Sequence, residues 1–397
     1  MRVVYFVSLF PCWSETFIVR EIAELLKLGV DVRIVSLKHP SETLVQSDAA
    51  ALLDRAIHPA PAPTALRRGI GEVARHPLRS AGELGMLVRG FWRRPRTLAK
   101  SLVTWWRTLA LLAEVRRLAP NHLHAHWATY PSTAAMIASG RLGVPFSFTA
   151  HAHDIFLEDH LLEDKLQRAA FSVTISRFNR AYLAERLPSA LLGRMRIIHC
   201  GVSPAGYAFQ PEDRQSGLIL AVGRLDAIKG FAHLVDACAL LAARGIDFTC
   251  RIVGEGPLRD ALSRQIADRG LDGRVELLGA RKQEEVRDLL RAAALFVLPS
   301  VVTPQGDRDG IPVALMEAMA CGTPVVSTRV SGIPELVTDG VCGLLAEAGD
   351  AADLARCIEQ QLADPAAVQA RTMEARRKIE AEFDVAIEAA KLRAAFA

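Results

Sequence analysis

Two carboxylates, Asp309 and Glu317, stand with seven residues between them inside the stretch from Leu295 to Pro334. Alone, such a pair reads as a helix cap and a surface acid. The surroundings give it chemistry. Leu295 to Leu298 is a short apolar run ended by Pro299, which reads as a buried parallel strand delivering a loop, Ser300 to Gly310, to the edge of a sheet. Pro312 suits a first helical position. Leu315, Met316 and Met319 then repeat at helical spacing until Gly322 and Pro324 stop the helix. Asp309 is thus expected just ahead of a helix N-terminus, whose free amides suit an anion, and Glu317 inside the helix.

Further residues converge on the same sheet edge. The strand Leu218 to Val222 opens into GRLDAIKG, where Gly223 permits a sharp turn and Arg224 and Lys229 offer two cations suited to a diphosphate. The next strand ends in GEGP, with Gly254 and Gly256 in a tight turn, and the one after it in Gly279 to Lys282, where Arg281 flanks the position of a base. Each of these signals is weak alone. Together they supply cations and amides for phosphate, one carboxylate for ribose hydroxyls and another for sugar hydroxyls, the needs of a nucleoside diphosphate bearing a sugar.

The N-terminal half holds a second group. HLHAHW places His122, His124 and His126 on one face of a strand, and TAHAHD places His151, His153 and Asp154 at the end of another. A metal site of hydrolase type is one reading; polar histidines satisfied by neighbours is the other, favoured because no further ligand cluster accompanies them.

These residues need a frame, and the chain's alternation of strand and helix provides one. Strands are expected at Met1 to Val7, Val32 to Leu37, His122 to Trp127, Pro145 to Thr149, Phe171 to Ser176 and Ile197 to Ile198, with Ser14 capping the first helix. A second series runs through Leu218 to Val222, Thr249 to Val253, Val275 to Leu278, Leu295 to Leu298, Val325 to Ser327 and Gly343 to Leu345. The fold class is therefore α/β, with two Rossmann-like doubly wound domains facing a central cleft. The stretch Gly201 to Gln215 marks the boundary, giving domains 1–204 and 205–375, with a C-terminal helix over 376–397 packing back onto the first.

Composition agrees with two soluble cores: 397 residues, half of them hydrophobic and 23% charged. Seven scattered cysteines without a C-x-x-C pair suit a reducing, cytoplasmic setting. No cleavage site follows the first apolar run, and no stretch is long enough to span a bilayer. Between Leu66 and Arg107 ten basic residues face only Glu72 and Glu83, with Trp92, Trp105 and Trp106 among them. This fits peripheral attachment of 66–107 to an anionic membrane surface, or a solvated basic helix pair with inward tryptophans. No nucleic-acid module accompanies the charge.

The order GRLDAIKG, GEGP, LPS, DGIPVALMEAMACGTPVVST and SGIPELV resembles the donor domain of retaining glycosyltransferase family 4, of GT-B fold. FPCWSETFIVREIAELLKLG and FTAHAHDIF look like members that build bacterial exopolysaccharides. The resemblance implies that Arg224 and Lys229 hold and stabilise the donor diphosphate. Glu317 would bind ribose, Asp309 would lie near the donor sugar as the first acid of E-x7-E, and the amides of Gly310 and Ile311 would face the sugar or distal phosphate. Gly223, Gly254, Gly256 and Arg281 complete the donor side. His151 would stand near the reacting centre, and Ser14, Glu15, Thr16 and His126 on the acceptor side. The first acid is Asp rather than the usual Glu, and Ser8 to Thr16 replaces a glycine-rich loop. The implied activity is transfer of a hexose from a UDP- or GDP-sugar to a lipid-linked or oligosaccharide acceptor, with no cofactor and no catalytic metal. Rival readings are a nucleotide-sugar epimerase of the same fold, a metal-dependent hydrolase, and a non-catalytic membrane scaffold.

Overall fold

The computed structural model describes residues 1–12, 15–40, 46–158 and 160–397. Ser14, expected as a helix cap and acceptor-side residue, lies outside the described residues. The described chain forms two compact units: Met1–Ile175 with Arg180–Ile198 and Ala389–Ala397, and Ser176–Asn179 with His199–Glu388.

The first unit is built on a seven-stranded, wholly parallel sheet. Its strands are β1 (Arg2–Val7), β2 (Asp31–Ser36), β3 (Ala56–Ile57), β4 (His122–His126), β5 (Phe146–Ala150), β6 (Phe171–Thr174) and β7 (Met195–Ile197), in the order β3-β2-β1-β4-β5-β6-β7. Strands such as RVVYFV are apolar on both faces because helices cover both faces, so they read as continuous hydrophobic runs. The second unit has six parallel strands, β8 (Gln215–Val222), β9 (Thr249–Val253), β10 (Val275–Gly279), β11 (Ala293–Leu298), β12 (Val325–Thr328) and β13 (Leu344–Ala346), in the order β10-β9-β8-β11-β12-β13. In each sheet the winding direction reverses once, between β1 and β4 and between β8 and β11. Ligands of such sheets bind at the C-terminal ends of the strands that flank the reversal.

Several expectations need correction. The units divide after Ile198 rather than at 204/205. Of the last stretch only 389–397 belongs with the first unit, because Ala375, Ile379 and Phe383 lie in the core of the second while Phe396 packs on His122, His124 and Phe171. The edge strand β3, two residues long, has no periodicity by which to find it. Pro312 is the N-cap of the helix Val313–Ala320, one residue before the expected position.

The basic region forms three helices, Ala62–Arg75, Pro77–Phe91 and Pro95–Arg117. Its tryptophans do not act together. Trp105 is buried and donates its Nε1–H to Glu83 at 2.7 Å, and Trp106 fills the space over Gly69. Only Trp92 of the three faces outward. Among the described residues no helix is long and apolar enough to cross a membrane.

Candidate active site

In the second unit the loops after β8 and β11, the two strands that flank the reversal, are tied together by their backbones. The Val301 amide donates to Ile228 O at 2.9 Å, and a Cβ at Gly230, whose φ is +66°, would collide with the Pro299 carbonyl. This close approach sets Lys229 opposite Asp309. Lys229 Nζ lies 2.8 Å from Asp309 Oδ1 and 3.0 Å from Oδ2, and Ser300 Oγ donates to Oδ2 at 2.6 Å. Asp309 is 8% exposed, so the pair is largely withdrawn from water and its charge-assisted bonds are correspondingly strong.

The adjoining loops are stitched in the same way. Gly223 N–H donates to Val253 O, Gly254 N–H to Gly279 O and Leu225 N–H to Glu255 O. A Cβ at Gly254, with φ +148°, would overlap the Gly223 carbonyl, and one at Gly256 would overlap Leu225. These glycines thus have a local reason to lack side chains: they let consecutive loops pack backbone to backbone.

Arg224 reaches outward, 65% exposed, and is held by Asp226 through an Nε contact of 2.6 Å. Arg281 turns toward Glu285 on the next helix, 3.8 Å away. Gly310 and Ile311 are buried ahead of the helix Val313–Ala320, and neither amide donates a hydrogen bond among the described residues. Such amides are available to an anion or a hydroxyl.

Glu317 is not the solvated surface acid that an isolated carboxylate suggests; it is 8% exposed. Its Oε1 accepts from Tyr207 Oη at 2.9 Å and from Gln283 Nε2 at 3.3 Å. Tyr207 is fixed in turn, since Arg376 donates to its carbonyl. Sequence reasoning missed Tyr207 and Gln283, and it missed Ser300, although the LPS motif contains it.

The first unit carries its own polar cluster at the corresponding reversal. His126 ends β4 and His151 follows β5. His126 Nε2 is 2.9 Å from Glu21 Oε1, which also accepts from Tyr5 Oη at 2.8 Å, and His126 Nδ1 is 3.1 Å from His151 Nε2. A carboxylate oxygen beside Nε2 suits the His126 tautomer that carries its proton there, which leaves Nδ1 to accept from His151 Nε2–H. Burial, and then His126, hold the pKa of His151 well below its usual value, so His151 is neutral.

Trp127, whose backbone is left-handed at φ +76°, lays its ring 4.5 Å from that of His151 and donates Nε1–H to Glu15. Thr16 begins the helix that follows Glu15. The loop after β4 is held from beneath by two fully buried groups. Lys165 Nζ donates to the carbonyls of Ala128 and Thr129 at 2.6 and 2.7 Å, and Asp154 accepts from the amides of Ala128 and His151. Burial pushes the Asp154 carboxyl up to about 7 and the Lys165 ammonium down to about 7.

Glu21, His124 and His126 bring three potential ligand atoms within 4.8 Å of one another. Those atoms are already engaged: His124 by Ser147 and Thr149, His126 by Glu21 and His151. A metal would have to displace these bonds.

Comparison with known proteins decides the family. Residues 14–205 match the model "Glycosyltransferase Family 4", and residues 216–364 match "Glycosyl transferases group 1". The glycosyltransferase WcaL of Escherichia coli K12, named for colanic acid biosynthesis, is 31% identical over 97% of this chain and 96% of its own length. The chain is a family 4 glycosyltransferase. Another relative, the amylovoran biosynthesis glycosyltransferase AmsK of Erwinia amylovora, is 40% identical over 48% of this chain and 47% of its own length.

Among solved structures, HepE of Anabaena, in complex with UDP and glucose, superposes with a TM-score of 0.70 at 20% identity, covering 99% of this chain and 98% of HepE. A sucrose-phosphate synthase of Thermosynechococcus elongatus gives a TM-score of 0.73 at 20% identity over 99% of this chain and 98% of its own. The glycosyltransferase therefore has the GT-B fold, each unit contributing one Rossmann-like domain.

Proposed function

We propose that this glycosyltransferase moves a hexose from a UDP- or GDP-sugar to a hydroxyl of a lipid-linked glycan in exopolysaccharide synthesis, with retention at the anomeric carbon and without a metal. The observation that carries the reading is the Lys229–Asp309 pair at the reversal point of the second sheet, beside the amides of Gly310 and Ile311, which donate no hydrogen bond among the described residues. A cation and free amides suit a diphosphate, and a carboxylate beside them suits the hydroxyls of the attached sugar. Amylovoran and colanic acid, for which the two relatives are named, are the basis for the exopolysaccharide assignment.

In the reaction the anomeric carbon–oxygen bond to the distal phosphate breaks first, and its electron pair stays with the phosphate oxygen. Lys229 and Arg224 stabilise the charge that develops there. The acceptor oxygen then bonds to the anomeric carbon on the face the phosphate is leaving, and the acceptor proton passes to the departing phosphate oxygen. No enzyme carboxylate is needed as nucleophile. His151, neutral and oriented by His126 and Glu21, carries over from the resemblance as the family's histidine of the reacting centre. The 66–107 region holds the enzyme at an anionic membrane surface on the cytoplasmic side.

Incubation with donor alone, followed by NMR of the sugar, tests the reading. Slow hydrolysis giving first the anomer of the donor is expected. A sugar nucleotide converted to its epimer without any acceptor would replace transfer by epimerisation.

A further inference from the structure

The outward face of the helix Pro77–Phe91 is unusual for a solvated helix. At 100° per residue, Leu78, Ala81, Gly82, Gly85 and Val88, and the following Trp92, fall within about 120° of arc. All are exposed, Leu78 at 89%, Trp92 at 63% and Val88 at 47%. The opposite face, with Ser80, Leu87 and Phe91, is buried, as is Met86 on the flank. The acidic residues of the region turn away: Glu83 is bonded to Arg141 and Trp105, and Glu72 is buried against Arg75 and Arg116.

Cations border the stripe. Arg89 lies within it and Arg79 beside it, and Arg93, Arg96 and Lys100 follow, the last three without a carboxylate partner among the described residues. Arg93 sits 4.6 Å over the Trp92 ring, an amphipathic pairing suited to the headgroup layer.

We propose that this stripe is a docking surface for an anionic lipid bilayer, with Leu78, Val88 and Trp92 entering the headgroup region and the arginines pairing with lipid phosphates. The helix, about 22 Å long, would lie in the plane of the surface. Charge complementarity chooses the occupant: an apolar stripe rimmed by arginine, with Asp164 at its edge already paired to Arg89 at 3.5 Å, keeps an excess of positive charge that matches an anionic surface and repels a second copy of itself. The tryptophans of the next helix take no part, because they are committed to the core. The proposal deepens the membrane attachment in the proposed function and rests on that reading for its purpose, but its test needs no transfer reaction. Failure here leaves the donor site standing.

Gly82 and Gly85 make the test clean. A Cβ at either meets nothing within 4 Å, so Gly82→Glu with Gly85→Glu leaves the packing intact and favours the helix. Flotation is measured with phosphatidylcholine vesicles and with vesicles containing about one third phosphatidylglycerol, alongside Trp92 emission and sedimentation without vesicles. The native protein should float with the anionic vesicles only, less so at high salt, and with a blue shift that Trp92→Phe removes. The double Glu variant should bind at least about tenfold more weakly while melting no lower and binding donor equally. Equal binding to both vesicle types, or no loss in the double variant, would overturn the proposal. So would self-association abolished by the double variant without vesicle binding, which would assign the face to a second copy.

Discussion

Lys229 and Asp309 form an ion pair, 2.8 Å from Nζ to Oδ1, across the two loops that leave β8 and β11. In the proposed function the pair stores the lysine where a diphosphate needs it, but neutralised. Donor binding must then move Nζ from carboxylate to phosphate, or share it between them. We expect Lys229→Ala to lower kcat by at least about a hundredfold, the scale seen when one donor to a developing oxyanion is lost. It also leaves a buried carboxylate unpaired, at about 3 kcal/mol, which urea unfolding of the variant measures. Near-normal transfer would remove Lys229 from the chemistry.

Asp309→Asn separates the two roles of the acid. The amide keeps a contact with Ser300 Oγ and releases Lys229. Free UDP or GDP should then bind as tightly as to the native enzyme or more so, while kcat for transfer falls at least about tenfold. Parallel loss of nucleotide affinity and turnover would show that Asp309 only holds the lysine in place.

Glu317 is oriented by Tyr207 and Gln283. Glu317→Gln should raise the KM for donor by about tenfold or more, the value of a hydrogen bond to a charged group. Tyr207→Phe should produce a smaller change of the same kind. An unchanged KM in Glu317→Gln would place the ribose elsewhere.

Acid should act on the first unit. Burial holds His122 at about 4, and holds His124 and His151 well below the ordinary value. A folded pKa below the unfolded one means that the unfolded chain binds more protons. Stability is then full above about 6.5 and is lost as pH falls through the folded value. His122 alone accounts for up to about 3 kcal/mol at pH 4 and below. His122→Gln, which can still bond Ser147, should flatten the acid limb of a stability profile followed by urea unfolding. An unaltered slope would mean that His122 titrates normally.

Much of the frame is visible in the chain because parallel strands covered on both faces write themselves as short apolar runs. The runs at Thr249 to Val253 and Leu295 to Leu298 lie within observed strands. Long-range pairing leaves no such mark. Tyr207 sits in a stretch that reads as a linker, and its bond to Glu317 spans 110 positions. Glu21 looks like the polar side of an amphipathic helix, yet it anchors His126 across 105 positions. The three tryptophans of the basic region share one sequence signature but separate into core and surface, since only packing against Glu83 and Gly69 tells them apart. The motifs pointed to Lys229 and Asp309 as separate ligands; that they bind each other follows from the backbone contact at Gly230.

Calorimetric titration of UDP and GDP into the native enzyme and into Lys229→Ala tests the central claim most directly. One of the two nucleotides should bind the native enzyme at one site per chain, and bind the variant at least about tenfold more weakly. Binding of neither nucleotide, or equal affinity in the variant, would contradict a diphosphate site built around Lys229 and Asp309.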